Sequence, residues 1–278
     1  MIREHIFTSH PTRDGGFRWR SREPSRLEGF SDAVFAFAVT LLVVSLEAPK
    51  TFDELLVTMQ GFPAFVVTFA LLVLIWHAQY TWFRRYALDD AVTTVLTMAL
   101  LLVILFFVYP LKFFTAFTAE AIRARGLPNT HLADGRTVPM LAGGEQFLQV
   151  ASIYSAGYAA IFGIFALMYW HAWRRRAMLD LSGVEMIETQ YSFLEHALHT
   201  GVGLLAIVIA LVFQSPLAMF AYFLIAPLQM MQGTLRGRAR RKFEAQSSAA
   251  AHPSPDAVTP ADVVATVAAV DGDNTTPA

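Results

Sequence analysis

The sequence predicts an all-α fold: a polytopic membrane protein with six transmembrane helices per subunit. Three observations predict it. Of 278 residues, 55% are hydrophobic and only 15% charged, against about a quarter charged in a soluble domain. The apolar residues gather into six blocks, near 29–46, 62–83, 92–114, 149–173, 191–213 and 217–232, and roughly 20 apolar residues suffice for a helix to cross a bilayer core. Arginines crowd alternate ends of these blocks.

Residues 1–24, containing "TRDGGFRWRSREP", form a basic arm with no apolar core of signal-peptide length, expected to be mostly disordered. Arg13, Arg18, Arg20, Arg22 and Arg26 precede the first span, whereas the loop after it, "LEAPKTFDE", is acidic. The second span exits at Arg84 and Arg85, the fourth at Arg174, Arg175 and Arg176, and the sixth at Arg236, Arg238, Arg240, Arg241 and Lys242. "QSP", between spans five and six, carries no charge. Because cytoplasmic loops are enriched in Lys and Arg, this alternation predicts a multi-pass protein of the cell membrane with both termini cytoplasmic. The 115–148 segment then lies outside, and its "TAFTAEAIRA" reads as a short helix. The tail, 244–278, rich in Ala, Pro, Ser, Thr and Asp, reads as disordered. The expected organisation is therefore a cytoplasmic arm (1–24), a six-helix transmembrane domain (25–243) and a cytoplasmic tail (244–278). Cysteine is absent, which excludes disulfides, thiol redox chemistry and cysteine-ligated metals.

Ionisable residues within spans are costly and mark candidate sites. With a rise of about 1.5 Å per residue, Asp32 lies about 9 Å inward of Arg26, and His77 lies at a similar depth before Arg84. Glu195, His196 and His199 enter the fifth span at a comparable level. A buried network is expected there, with Ser31 and Asp32 against Trp76 and His77, extended by His196 or His199. At about 100° per residue, Arg26, Phe30, Ala33, Phe37, Thr40, Leu41 and Val44 share one stripe of the first helix, and Ser31 and Asp32 point away from it. That geometry makes Asp32 an anchor. An equally simple reading has "FSD" starting the helix as cap and first-turn anion, with Arg26 snorkelling to the headgroups.

Arg26-x-x-x-Phe30-Ser31-Asp32 at the start of span one, with Trp76-His77 late in span two, resembles the signature of the transmembrane protein 175 family. Its members are potassium-permeable channels of bacteria and of animal endosomes and lysosomes. The resemblance runs from Arg26 to about Leu46, includes the Trp-His pair and the six-span layout, and leaves out the tails and the 115–148 loop. It implies a potassium-selective, leak-like channel and not an enzyme, assembled as a homotetramer with the first helices around a central pore. It implies an apolar constriction at Phe37, Leu41 and Val44, flanked by Thr40, in place of a carbonyl-lined filter. It also implies that Arg26, Phe30, Ser31, Asp32, Trp76 and His77 form the motif and its interhelical network. The constriction position is usually aliphatic in the family, and here it is Phe37. The expected partners are potassium ions, further copies of the chain and the lipid bilayer, with no nucleic acid, no cofactor and no metal.

Three rival readings attach to other features. A secondary transporter or proton pathway would use His77, Glu195, His196 and His199 as a relay, but no inverted repeat accompanies them. Glu195-His196-x-x-His199 superficially resembles zinc ligands, yet it is not His-Glu-x-x-His; hydrogen bonding between helices is the simpler role. A non-conducting scaffold is the third.

Overall fold

The structure is a computed structural model that describes residues 13–14, 17–21, 23–44, 49–124, 129–131 and 136–251. Its helices are α1 (Arg26–Val44), α2 (Phe52–Gln60), α3 (Phe62–Tyr86), α4 (Ala91–Ala124), α5 (Gly144–Arg174), α6 (Gly183–Val212) and α7 (Ile225–Ala251). A 3₁₀ helix, Pro216–Leu224, leads directly into α7. Among the described residues six segments are long and apolar enough to cross a membrane: α1, α3, α4 (to Arg123), α5, α6 and Leu217–Ser248.

Local chemistry sets the boundaries. Thr51 caps α2, its side chain accepting the Glu54 N–H. Pro63 in the first turn of α3 costs no intrahelical bond. Ser182 and Glu185 form a reciprocal capping box on α6. The sixth crossing, expected as one short span over 217–232, lies in one continuous helical segment that changes from 3₁₀ to α at Ile225. Pro216 opens the 3₁₀ turn, and Pro227 opposes an α-helical register with the Phe223 carbonyl four residues back.

The main core lies where α1, α3, α4 and α5 meet, at Phe35, Leu42, Leu72, Trp82, Tyr86, Leu100, Ile104, Phe165 and Met168. A smaller cluster joins α6 to the 3₁₀ helix through Val202, Ala206 and Ala221. Gly157 lets α4 approach α5, since a Cβ there would sit 2.0 Å from the Phe107 ring.

Three segments differ from expectation. The short helix expected at 115–124 is simply the end of α4, and beyond it Asn129–His131 (β3) pairs antiparallel with Thr137–Pro139 (β4). The last helix continues to Ala251, into the first residues of the segment expected as a disordered tail. The arm, expected to be mostly disordered, is docked where it is described. Arg13–Asp14 (β1) pairs with Phe17–Arg18 (β2), and Phe17 is buried against Tyr86. Arg20 reaches the fully buried Glu185 at 2.8 Å, and the Arg18 N–H donates to the same carboxylate at 2.8 Å. The cations bind because a buried carboxylate awaits them.

Candidate pore helix and its anchors

The start of α1 decides between the two readings of "FSD". Ser25 caps the helix, its Oγ accepting the Glu28 N–H at 3.1 Å. Ser31 and Asp32 therefore lie well inside the helix and serve another purpose. Ser31 is buried; its Oγ donates to the Leu27 carbonyl (2.9 Å) and accepts from Gln79 Nε2 (3.3 Å). Asp32 Oδ1 accepts the indole N–H of Trp76 at 2.8 Å. Glu28, also buried, pairs with Arg84 at 3.5 Å. Three polar side chains of α1 thus grip α3, each through a different partner.

Sequence reasoning missed Gln79 and the role of Glu28. Both carried a signal: Gln79 lies three residues after Trp76 on the same helical face, and Glu28 lies one turn before Asp32.

His77 is exposed and stacks near Tyr80, centroids 6.2 Å apart. Among the described residues no hydrogen bond joins His77 to Ser31 or Asp32. The extension expected through His196 or His199 does not form either, because their face of α6 turns toward α5 and α7. His199 stacks on Phe162 (4.4 Å, 12°) and hydrogen-bonds Tyr158 and Gln229. Glu195 accepts from the same Gln229 at 3.4 Å. His196 donates through Nδ1 to the Ser192 carbonyl (2.7 Å), between the rings of Phe165 and Tyr169.

The opposite side of α1 is apolar and has no cover within the protomer. Phe30 is 51% exposed, Phe37 55% and Val44 71%. Arg26, Ala33 and Thr40 are exposed and Leu41 is half-buried, whereas Phe35, Ala38 and Leu42 are buried on the anchored side. The Thr40 hydroxyl donates to the Ala36 carbonyl at 2.9 Å, which leaves its oxygen lone pairs unspent. The helix therefore has a fixed polar-and-packed side and a free greasy side.

Known proteins resemble this chain in sequence and in fold. The family model described as "Endosomal/lysosomal potassium channel TMEM175" matches residues 26–108, from the first residue of α1 into α4. A potassium channel of Marivirga tractuosa is 36% identical over 235 residues, covering 82% of this chain and 93% of that protein. A potassium channel of Chamaesiphon minutus is 28% identical over 205 residues, 69% of this chain and 86% of that protein. Among solved structures, a variant of the potassium channel MtTMEM175, crystallised with a nanobody–MBP fusion protein, superposes with a TM-score of 0.70. It is 34% identical, and the match covers 81% of this chain and 99% of that one. With its six spans, its anchored first helix and these relatives, the chain belongs to the TMEM175 potassium-channel family.

Proposed function

We propose that four copies of the chain enclose a potassium-selective, leak-like pore lined by α1. As a family member the chain is a multi-pass potassium channel and not an enzyme. In this reading Phe37, Leu41 and Val44 form the constriction and Thr40 flanks it. The two-sidedness of α1 carries the proposal: Phe37 and Val44 lie bare on one side while Ser31, Asp32 and Glu28 bind α3 on the other. Both termini are on the cytoplasmic side of the cell membrane, in keeping with the arginine-rich ends of spans two, four and six.

The selectivity mechanism is dehydration. Potassium holds its water less tightly than sodium, so an apolar ring that strips part of the shell penalises sodium more. The Thr40 oxygen offers partial compensation beside the ring, and the Phe37 faces offer a cation about 0.5–2 kcal/mol each. An apolar constriction also gates by dewetting.

Potassium and sodium flux through purified protein in liposomes tests the proposal. Wild type is expected to pass potassium preferentially, and Phe37→Ala to pass more current with a lower potassium-to-sodium ratio. Unchanged flux and ratio in Phe37→Ala would remove that residue from the pore.

A further inference from the structure

The arginine-rich end of α5 carries a feature that the pore does not use. Leu167, Trp170 and Arg174 recur at three- and four-residue spacing, so they share one face, and Leu167 and Trp170 are 48% and 43% exposed. That face begins as bare hydrocarbon and ends in a cation. The Arg174 guanidinium lies 4.7 Å from the Trp170 ring centroid. Beside it, the Arg176 guanidinium lies 4.8 Å from the ring of Trp173, and Arg176 Nη1 is steadied by the Trp173 carbonyl at 3.2 Å. Met178, two residues after Arg176, is 64% exposed.

The nearby carboxylates are already engaged. Asp90 is taken by His171 at 2.7 Å and by Arg175 at 3.4 Å, and Asp180 faces Arg18 at 3.5 Å. Among the described residues neither Arg174 nor Arg176 has an acidic partner. Two guanidinium groups therefore lie over indole rings, and among the described residues no carboxylate claims their N–H groups. Planar guanidinium edges match phosphate oxygens bidentately. Tryptophans settle at the headgroup level of a bilayer, and cations just past a span draw anionic lipid.

We infer that the Trp170–Arg174 and Trp173–Arg176 pairs form a binding site for the phosphate of an anionic phospholipid, whose acyl chain lies along Leu167. A lipid is the occupant because the cations continue a face that is apolar for the preceding turns; a soluble anion would gain nothing from Leu167. The inference uses α5 as a membrane span and does not depend on where the pore lies.

Native mass spectrometry of the purified full chain tests it, with phosphatidylglycerol and phosphatidylcholine of equal chain length supplied together. Wild type is expected to retain phosphatidylglycerol in several-fold excess, and Arg174→Gln/Arg176→Gln to lose most of that excess. Arg238→Gln/Arg241→Gln, altered at a different arginine cluster, is expected to keep it. Arg174→Lys/Arg176→Lys keeps charge without the planar fork, should show an intermediate excess, and decides the matter if the glutamine pair does not fold. Equal retention of both lipids by wild type would overturn the inference, as would an undiminished excess in the glutamine and lysine variants of Arg174 and Arg176. Dissociation of the oligomer by these substitutions would mark the face as a subunit contact instead. Thermal stabilisation by inorganic phosphate equal to that by phosphatidylglycerol would overturn the lipid assignment.

Discussion

At Asp32 a carboxylate is held nearly two turns inside an apolar helix, where charge is costly; it persists because the Trp76 indole N–H meets it at 2.8 Å. Interhelical hydrogen bonds in membranes contribute about 0.6 kcal/mol on average and up to about 1.7, so Asp32→Ala should lower the melting temperature modestly. Trp76→Phe should do the same, and the double variant should cost less than the two losses added, because each removes the same bond. Full additivity in thermal melts of purified protein would separate the two residues. Asp90, in the turn before α4, makes a pH-dependent case. Burial opposes its charge, but the Thr93 N–H at 2.9 Å and His171 at 2.7 Å outweigh that and hold its carboxyl below the usual carboxylate range. A depressed folded pKa contributes stability above about pH 3.9, which is lost as pH falls through the folded value. Asp90→Asn should therefore melt below wild type at neutral pH, and the gap should narrow as the medium is acidified below about pH 4. A gap that widens in acid would refute the assignment.

Among the elements, the arm has the most specific task. Its residues Arg18 and Arg20 bind Glu185 at the start of α6, while the Arg20 side chain also donates to the carbonyls of Leu179 and Arg85. One short segment thereby ties the end of α3, the turn after α5 and the cap of α6, six residues before α1 begins at Arg26. Glu185→Gln removes the charge and leaves two arginines facing a neutral group. The cost should fall below the roughly 3–5 kcal/mol of a fully buried pair, because the Arg18 side chain keeps 39% exposure and shares its charge with water. The sharper readout is limited trypsin digestion, expected to cut after Arg18 and Arg20 several-fold faster in Glu185→Gln. Equal cutting would show that the strap does not depend on the ion pair. The spans themselves were legible in the sequence, because hydropathy accumulates over twenty residues and arginine clusters repeat its message. The two sides of α1 were legible too, since helical periodicity separates Phe37 from Ser31 without any knowledge of partners. The docked arm was not: Arg18 looks like a loose cation until Glu185, 167 positions away, is brought beside it. The 3₁₀ start of the sixth crossing lay between these cases, signalled by Pro216 and Pro227 yet hidden by an uninterrupted apolar run.

On the scale of the whole molecule, exposure alone does not tell a pore face from a lipid face. Phe37 and Val44 are bare, but so are Leu102 (70%) and Phe106 (73%) on α4. What distinguishes α1 is that its three polar anchors, Glu28, Ser31 and Asp32, fall within five residues and all reach α3; the polar ties of α4 are spread along its length and go to different helices, Pro110 to Tyr154, Thr115 to Thr68 and Arg123 to Gln60. Four such helices around one axis would bring equivalent Phe37 positions close together, whereas equivalent Leu102 positions would be kept apart by the bodies of the protomers. The chain has no cysteine, so a single introduced thiol reports on its own position without background. Phe37→Cys and Val44→Cys, treated in membranes with a short bifunctional thiol reagent, should yield cross-linked dimers on denaturing gels. Leu102→Cys and Phe106→Cys should remain monomeric under the same treatment. Cross-linking at α4 with none at α1 would turn the assembly inside out, putting the greasy side of the first helix against lipid and leaving the pore to be sought elsewhere.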